Sequence, residues 1–226
     1  MTAAVMGPEL FPEGFNEIPC YGTIGALTPE QIQQLPGMAL TAVRGIAMAA
    51  DKATGEARKE YESTHDALTD LYNRRGLMER GEEALKLNAN TAVIFLDADK
   101  FKRVNDEIDH AAGDQLLIDI AETIKDTVRE TDIVARLGGD EFVIVLDTTP
   151  RPGSEGDLSP EERVSIVLER IQMSLDRKLT GTNIEGKGVG ISGGFALYDP
   201  KVHNNLADLM QEADAKLYAN KAARRK

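Results

Sequence analysis

A chain of 226 residues, 42% apolar and 28% charged, holds enough hydrophobic material for one well-cored domain and an appendage, which excludes global disorder. Its formal charge of −12 argues against a nucleic-acid partner, while a small phosphorylated ligand stays open because local cations can override a mean acidic field. Cys20 is the single cysteine, there is no apolar run of about 18 residues and the N-terminus is not signal-like, so the expectation is a cytoplasmic protein with no disulfide framework and no membrane span.

Residues 1–37 carry Gly7, Pro8, Pro12, Gly14, Pro19, Gly22, Gly25, Pro29, Pro36 and Gly37, a density of breakers that predicts an irregular arm. Within it, Thr28-Pro29-Glu30-Gln31 has the form of a cap, a first-turn proline and a capping-box glutamine, predicting a turn or two of helix through Ile32 and Leu35. Residues 38–65 are expected to form a helical stalk. Along it Leu40, Val43, Ala47, Ala50, Thr54, Ala57, Tyr61, Thr64 and then Leu68 recur at alternating spacings of three and four. That seam suits a dimer-forming coiled coil, and its alanine and threonine content suits equally a helix packed on its own domain.

The spacing then predicts a helix at 73–87, a strand at Thr91–Leu96, helices at 101–107 and 113–129, and a hairpin of Ile133–Leu137 and Glu141–Leu146 turning at Gly138-Gly139. Thr148–Leu158 reads as an exposed loop. Ser159-Pro160-Glu161-Glu162 opens a helix to about Lys178, Gly188–Tyr198 reads as a strand, and Asn205–Arg225 as a last helix. Crossovers mixed with one hairpin predict an α/β sandwich around a central mixed sheet.

Two places carry chemistry. The apolar run Thr91–Leu96 ends in Asp97-Ala98-Asp99, and carboxylates at the carboxyl end of a buried strand stand where α/β folds bind ligands. Hard oxygens there suit Mg²⁺, which binds through one or two carboxylates plus substrate phosphates; the same aspartates also suit a simple helix cap. The second place is Arg136-Leu137-Gly138-Gly139-Asp140-Glu141-Phe142, where two glycines permit a tight turn and close approach to a ligand. If the hairpin tip lies beside the strand ending at Asp97, Asp140 completes a two-carboxylate cation site. Alone, the glycine pair is equally an ordinary turn with solvated acids.

Gly138-Gly139-Asp140-Glu141-Phe142 resembles the name motif of the GGDEF family of diguanylate cyclases, and further family motifs stand in register around it. Asp66-Ala67-Leu68-Thr69, followed by Leu71, Asn73 and Arg74, is similar to the family's leading motif. Asp97 to Asp106 and His110 to Asp114 resemble its next two, and Ala213-Asp214 with Leu217, Tyr218 and Lys221 its last. The likeness covers residues 62–226, with 66–226 as the cyclase domain. It implies a nucleotidyl-cyclase-like fold, an α+β sandwich whose mostly antiparallel or mixed five-stranded sheet is flanked by helices and preceded by an N-terminal helical extension.

The resemblance further implies roles. Asp97, the Ala98 carbonyl and Asp140 would hold two Mg²⁺ ions, with Mn²⁺ as a substitute. Asn105, His110 and Asp114 would bind the guanine end of GTP, and Lys102, Lys221 and Arg225 its phosphates. Asp140 or Glu141 would accept the proton of the attacking hydroxyl, and Lys102 would stabilise the leaving group. Arg129 and Asp132, spaced R-x-x-D, would bind product inhibitorily. Two GTP would become cyclic di-GMP in a homodimer, with a catalytically silent cyclic di-GMP receptor as the alternative. Asp109 and Arg224 depart from family glycines and Ala98 from a bulkier residue; none supplies a ligand side chain.

Overall fold

The computed structural model describes Gly55, residues 58–150 and residues 158–224. The expected arm at 1–37, most of the stalk, Arg225 and much of the 148–158 loop lie outside the described residues. The chain divides into two units, Met1–Arg58 and Lys59–Lys226, and the second contains the elements below. Their order is α1 (Arg74–Leu87), β1 (Thr91–Asp99), α2 (Phe101–Glu107), α3 (His110–Thr127), β2 (Ile133–Gly138), β3 (Glu141–Asp147), α4 (Pro160–Leu179), β4 (Gly190–Leu197) and α5 (Leu206–Arg224). No described helix is long and apolar enough to cross a membrane.

β1 explains the layering. Its apolar run is buried on both faces, and because strand side chains alternate, it feeds two cores. Ala92, Ile94, Leu96 and Ala98 join one with Leu116, Ile120, Ile171 and Leu175 of α3 and α4. Val93 and Phe95 join the other with Leu77 of α1 and Leu209, Ala213 and Leu217 of α5. Each of the large side chains among these contributes about 1.5–3 kcal/mol on burial.

The sheet order is β2-β3-β1-β4. Every pairing in it is antiparallel, and among the described residues it has four strands where five, in a mostly antiparallel or mixed sheet, are expected. Among the described residues, the one parallel contact is an isolated bridge between Tyr72 and Ala135. There the Tyr72 N–H donates to the Val134 carbonyl at 3.2 Å and the Arg136 N–H to the Tyr72 carbonyl at 2.8 Å. The segment cannot lengthen into a strand, because Asp70 turns at φ 56° and Asn73 already caps α1.

Other boundaries shift for local reasons. β1 runs on to Asp99 because its neighbours keep pairing, Asp97 with Glu141 on one side and Asp99 with Gly190 on the other. α3 starts at His110 because the Asp109 side chain accepts the Ala112 N–H at 2.7 Å. Ser159 and Glu162 form the expected capping box of α4. Residues 58–64 are helical, and of the expected seam Tyr61, Thr64 and Leu68 are described. Tyr61 stacks on His65 with ring centroids 3.8 Å apart and donates its hydroxyl to Asp70 at 2.5 Å, so this end of the helix engages its own domain.

Candidate active site

Period two places the acids. Asp97 and Asp99 follow Val93 and Phe95, so their side chains emerge on the α1/α5 face of the sheet. Glu141 follows the same parity on β3 with Val143 and Val145, and Ser192 shares it on β4 with Ala196. Register sets Glu141 and Ser192 on either side of Asp97. The Ser192 hydroxyl faces both Asp99 oxygens, at 2.9 and 2.7 Å.

The tip of the β2–β3 hairpin brings in Asp140. Gly138 and Gly139 have φ of 142° and 55°, values that side-chain-bearing residues rarely adopt, so the turn requires glycine for its backbone rather than for space. The Asp140 carbonyl accepts the Ala98 N–H at 3.1 Å, which ties the tip to β1. Arg136 fastens it from the other side. Its Nε and Nη2 donate to the Gly139 carbonyl at 3.0 and 2.8 Å, and its Nη1 to Asp66 at 2.9 Å.

Over this row lies Lys221 of α5. Its ammonium is ion-paired with Asp97 and stands 3.9 Å from Asp99. α5 comes that close because Gly194 has no side chain: a Cβ there would meet the Leu217 nitrogen at 2.1 Å. Asn220 anchors the same turn by donating to the Gly193 carbonyl at 2.9 Å.

Burial raises the Asp140 carboxyl above its ordinary range, and the Asp97 charge adds to this, while Lys221 and Arg136 oppose it. Glu141 is likewise raised, first by burial and then by Asp97, Asp140 and Asp214. Among the described residues no three His, Cys, Asp or Glu side chains form a ready cage for a metal. The donor set nonetheless fits Mg²⁺: carboxylates crowd one spot, the largest opposing charge is a lysine ammonium, and Mg²⁺ completes its shell with water and phosphate.

The other expected site residues lie on α2 and α3. Asn105 is half-buried, and its Oδ1 is buried without a hydrogen-bond partner. That oxygen packs where a Gly113 Cβ would stand, 1.9 Å away, so the pair requires glycine. Lys102, His110 and Asp114 are exposed, and their side chains make no hydrogen bond or ion pair among the described residues.

Arg129 and Asp132 meet elsewhere, at the far end of β2 and β3. The Asp132 oxygens accept the backbone N–H groups of Arg129 at 2.8 Å and Asp147 at 3.0 Å, and the side chain is 9% exposed. Burial raises its carboxyl despite those two donors. Arg129 donates through Nη1 to the Asp147 carbonyl at 3.2 Å. Beside them opens a groove of about 330 Å³ that Arg163 and Arg170 of α4 also line. Arg163 has two buried guanidinium nitrogens, Nε and Nη2, without a partner.

Sequence reasoning missed Arg136, Ser192, Arg163 and Arg170. The Asp66-x-x-Thr69 spacing signals a local cap, realised as Asp66 accepting the Thr69 N–H and hydroxyl at 3.0 and 2.7 Å. Nothing local signals its bond to Arg136, 70 residues away.

The family model for the GGDEF domain of diguanylate cyclases matches residues 63–226. The diguanylate cyclase TpbB of Pseudomonas aeruginosa is 34% identical over 166 residues, covering 71% of this chain and 36% of that protein. The bifunctional diguanylate cyclase/cyclic di-GMP phosphodiesterase MucR of the same organism is 37% identical over 174 residues, 74% of this chain and 24% of MucR. The chain thus spans little more than a third of either relative at most. Among solved structures, the coiled coil and GGDEF domain of DgcB from Caulobacter crescentus in complex with c-di-GMP is similar, with a TM-score of 0.67 and 25% identity over 83% of this chain and 96% of that one. A sensory box/GGDEF family protein from the same organism reaches 0.59 at 31% identity, over 71% and 99%.

Proposed function

Because the chain belongs to the GGDEF-domain diguanylate cyclase family, we propose that it condenses two GTP molecules into cyclic di-GMP and two pyrophosphates, using Mg²⁺ and acting as a homodimer. The observation that carries this reading is the carboxylate row of Asp97 and Glu141, with Asp140 on its glycine turn and Lys221 above.

Asp97, Asp140 and the Ala98 carbonyl would hold two Mg²⁺ per GTP, with Mn²⁺ as a substitute. Such ions would supply neutralisation of phosphate charge and a lowered pKa for the attacking 3′-hydroxyl. That hydroxyl attacks the α-phosphorus of the other GTP, the α–β bridging P–O bond breaks, and pyrophosphate leaves. The proton passes to the Asp140 or Glu141 carboxylate, and the raised proton affinity of both supports either as acceptor. Lys102, Lys221 and Arg225 grip the phosphates, and Lys102 steadies the leaving group.

Asn105, His110 and Asp114 select guanine. The buried, unpartnered Asn105 oxygen favours this, since it is an acceptor lacking the N–H that a guanine edge would donate. Each domain offers one such site, whereas the product is built from two nucleotides by the same step repeated. A two-fold dimer with its sites face to face satisfies that symmetry.

Arg129 and Asp132 form the product-binding inhibitory site. The adjoining groove supports it, because the unpartnered Arg163 donors suit phosphate and a planar guanidinium stacks on a base. Asp132 is latched by two backbone N–H groups, so it orders the site from its remaining lone pairs.

The test is incubation of the purified protein with GTP and Mg²⁺, products being identified by chromatography and mass, with ATP and with a divalent-cation chelator as parallel arms. Cyclic di-GMP from GTP and nothing from the other arms is expected. Turnover that persists under chelation, or a different cyclic product, would sink the reading.

A further inference from the structure

Lys221 has two anionic partners to serve. Its ammonium pairs with Asp97 and approaches Asp99, yet its proposed task is to grip phosphate. A lysine has four methylenes and one compact charge, so a swing between two nearby anions asks only for rotamer changes. The backbone that carries it is held: Gly194 seats the Leu217 turn against β4, and Asn220 fastens the next residues to the Gly193 carbonyl. Only the side chain is left to choose its partner.

The surroundings set the sign of that choice. Asp97, Asp99, Asp140 and Glu141 gather on one sheet end, and the cations that act on Asp140 are Lys221 and Arg136. Arg136 is committed elsewhere, to Asp66 and the Gly139 carbonyl. Lys221 is therefore the one of the two whose charge serves the carboxylates directly. The Lys221 and Asp97 side chains are 23% and 22% exposed, so the pair is partly sheltered from solvent and outlasts ordinary screening.

Resting on the cation site of the proposed cyclase, we propose that Lys221 is its resident counter-ion, holding Asp97 until nucleotide phosphates draw the ammonium away and so coupling divalent-cation binding to GTP binding. The ammonium and a divalent ion compete for the same oxygens. Metal alone must displace it without compensation, whereas metal arriving with a triphosphate gives it a new anion. Because binding couplings are reciprocal, the ion strengthens nucleotide binding by the same factor.

The experiment titrates Mn²⁺ alone into nucleotide-free protein, read by paramagnetic resonance of the free ion and by calorimetry. It compares wild type with Lys221→Met, Lys221→Gln and Lys221→Met/Asp97→Asn, with folding of each checked by thermal unfolding. Both single variants are expected to bind Mn²⁺ about tenfold more tightly than wild type, an ordinary size for the removal of one competing charge. Addition of a GTP analogue with a methylene α–β bridge is expected to tighten Mn²⁺ binding less in the variants than in wild type. The double variant is expected to lose the gain.

Unchanged or weaker Mn²⁺ binding in both single variants would overturn the inference, as would a gain that survives Asp97→Asn. The cyclase reading is scored apart: a wild type that forms cyclic di-GMP while the variants show no gain leaves the activity standing without the coupling. Tighter binding in the variants of a protein that makes no cyclic di-GMP supports the counter-ion role and removes the activity.

Discussion

At the scale of single residues, the site is held by charges whose partners lie far away in the chain. Asp66 is the clearest. Burial alone would raise its carboxyl, but the Thr69 hydroxyl, the Arg136 guanidinium and the Thr69 N–H outweigh it and hold it below the usual range. A depressed folded-state value means that the stabilisation is present above the ordinary carboxylate value, about 4, and is lost as pH falls through the folded value. Asp66→Asn is therefore expected to cost about 1–3 kcal/mol in urea unfolding at pH 7. The gap to wild type should narrow as pH falls below about 4 and go on narrowing toward the lowest pH at which the protein folds, and a gap that does not change with pH would contradict this. Asn105 behaves oppositely. Its buried oxygen has no hydrogen bond to lose, so Asn105→Ala forfeits chiefly its packing against Gly113 and should cost about 1 kcal/mol or less of thermal stability. The same variant should raise KM for GTP about tenfold or more, since it removes an acceptor from a polar recognition site. These two residues also mark what could be read beforehand. Asp66 and Asn105 stand in recognisable motifs, but Arg136 has no local mark, because its role exists only once the hairpin folds against the lead-in turn.

At the scale of elements, periodicity carried the positions of α1, α2, α4 and the hairpin, since each has a cap, a breaker or an apolar stripe of its own. It stopped short at the end of β1. The polar Asp97-Ala98-Asp99 looks like a loop, and it is strand only because β3 and β4 pair with it from both sides. That extension matters, for it turns two aspartates onto the face that α5 covers. α5 in turn depends on Gly194. Gly194→Val would drive a side chain into the Leu217 backbone, and overpacking of this kind costs typically 1–3 kcal/mol or more. It should also lift Lys221 from the row, so nucleotide affinity is expected to fall even in the folded fraction; calorimetry with a non-reacting GTP analogue measures it. Ile94→Ala, at a fully buried β1 position facing α3 and α4, should cost about 2–5 kcal/mol with m-value unchanged.

At the scale of the whole molecule, the proposed condensation asks for two copies. Specific activity is expected to rise with protein concentration until the dimer saturates, and Arg129→Ala should keep that activity while product added at micromolar levels no longer slows it. Constant specific activity across a hundredfold dilution range through a monomeric state would remove the dimer requirement. The strand count is where the architecture departs from expectation: the residue spacing marks four strands, the resemblance implies a fifth, and at Tyr72 the chain has room for one bridge before Asn73 starts α1. Arg163 and Arg170 were illegible for a related reason: they read as the solvated face of an amphipathic helix until α4 docks beside Arg129 and Asp132.

The most direct measurement is product formation from GTP and Mg²⁺ by wild type and Asp140→Ala side by side, with both shown to be folded by their unfolding transitions. Cyclic di-GMP and two equivalents of pyrophosphate are expected from wild type and none from Asp140→Ala. A folded, dimeric wild type that forms no cyclic di-GMP, or an Asp140→Ala protein that forms it at the wild-type rate, would contradict the proposal.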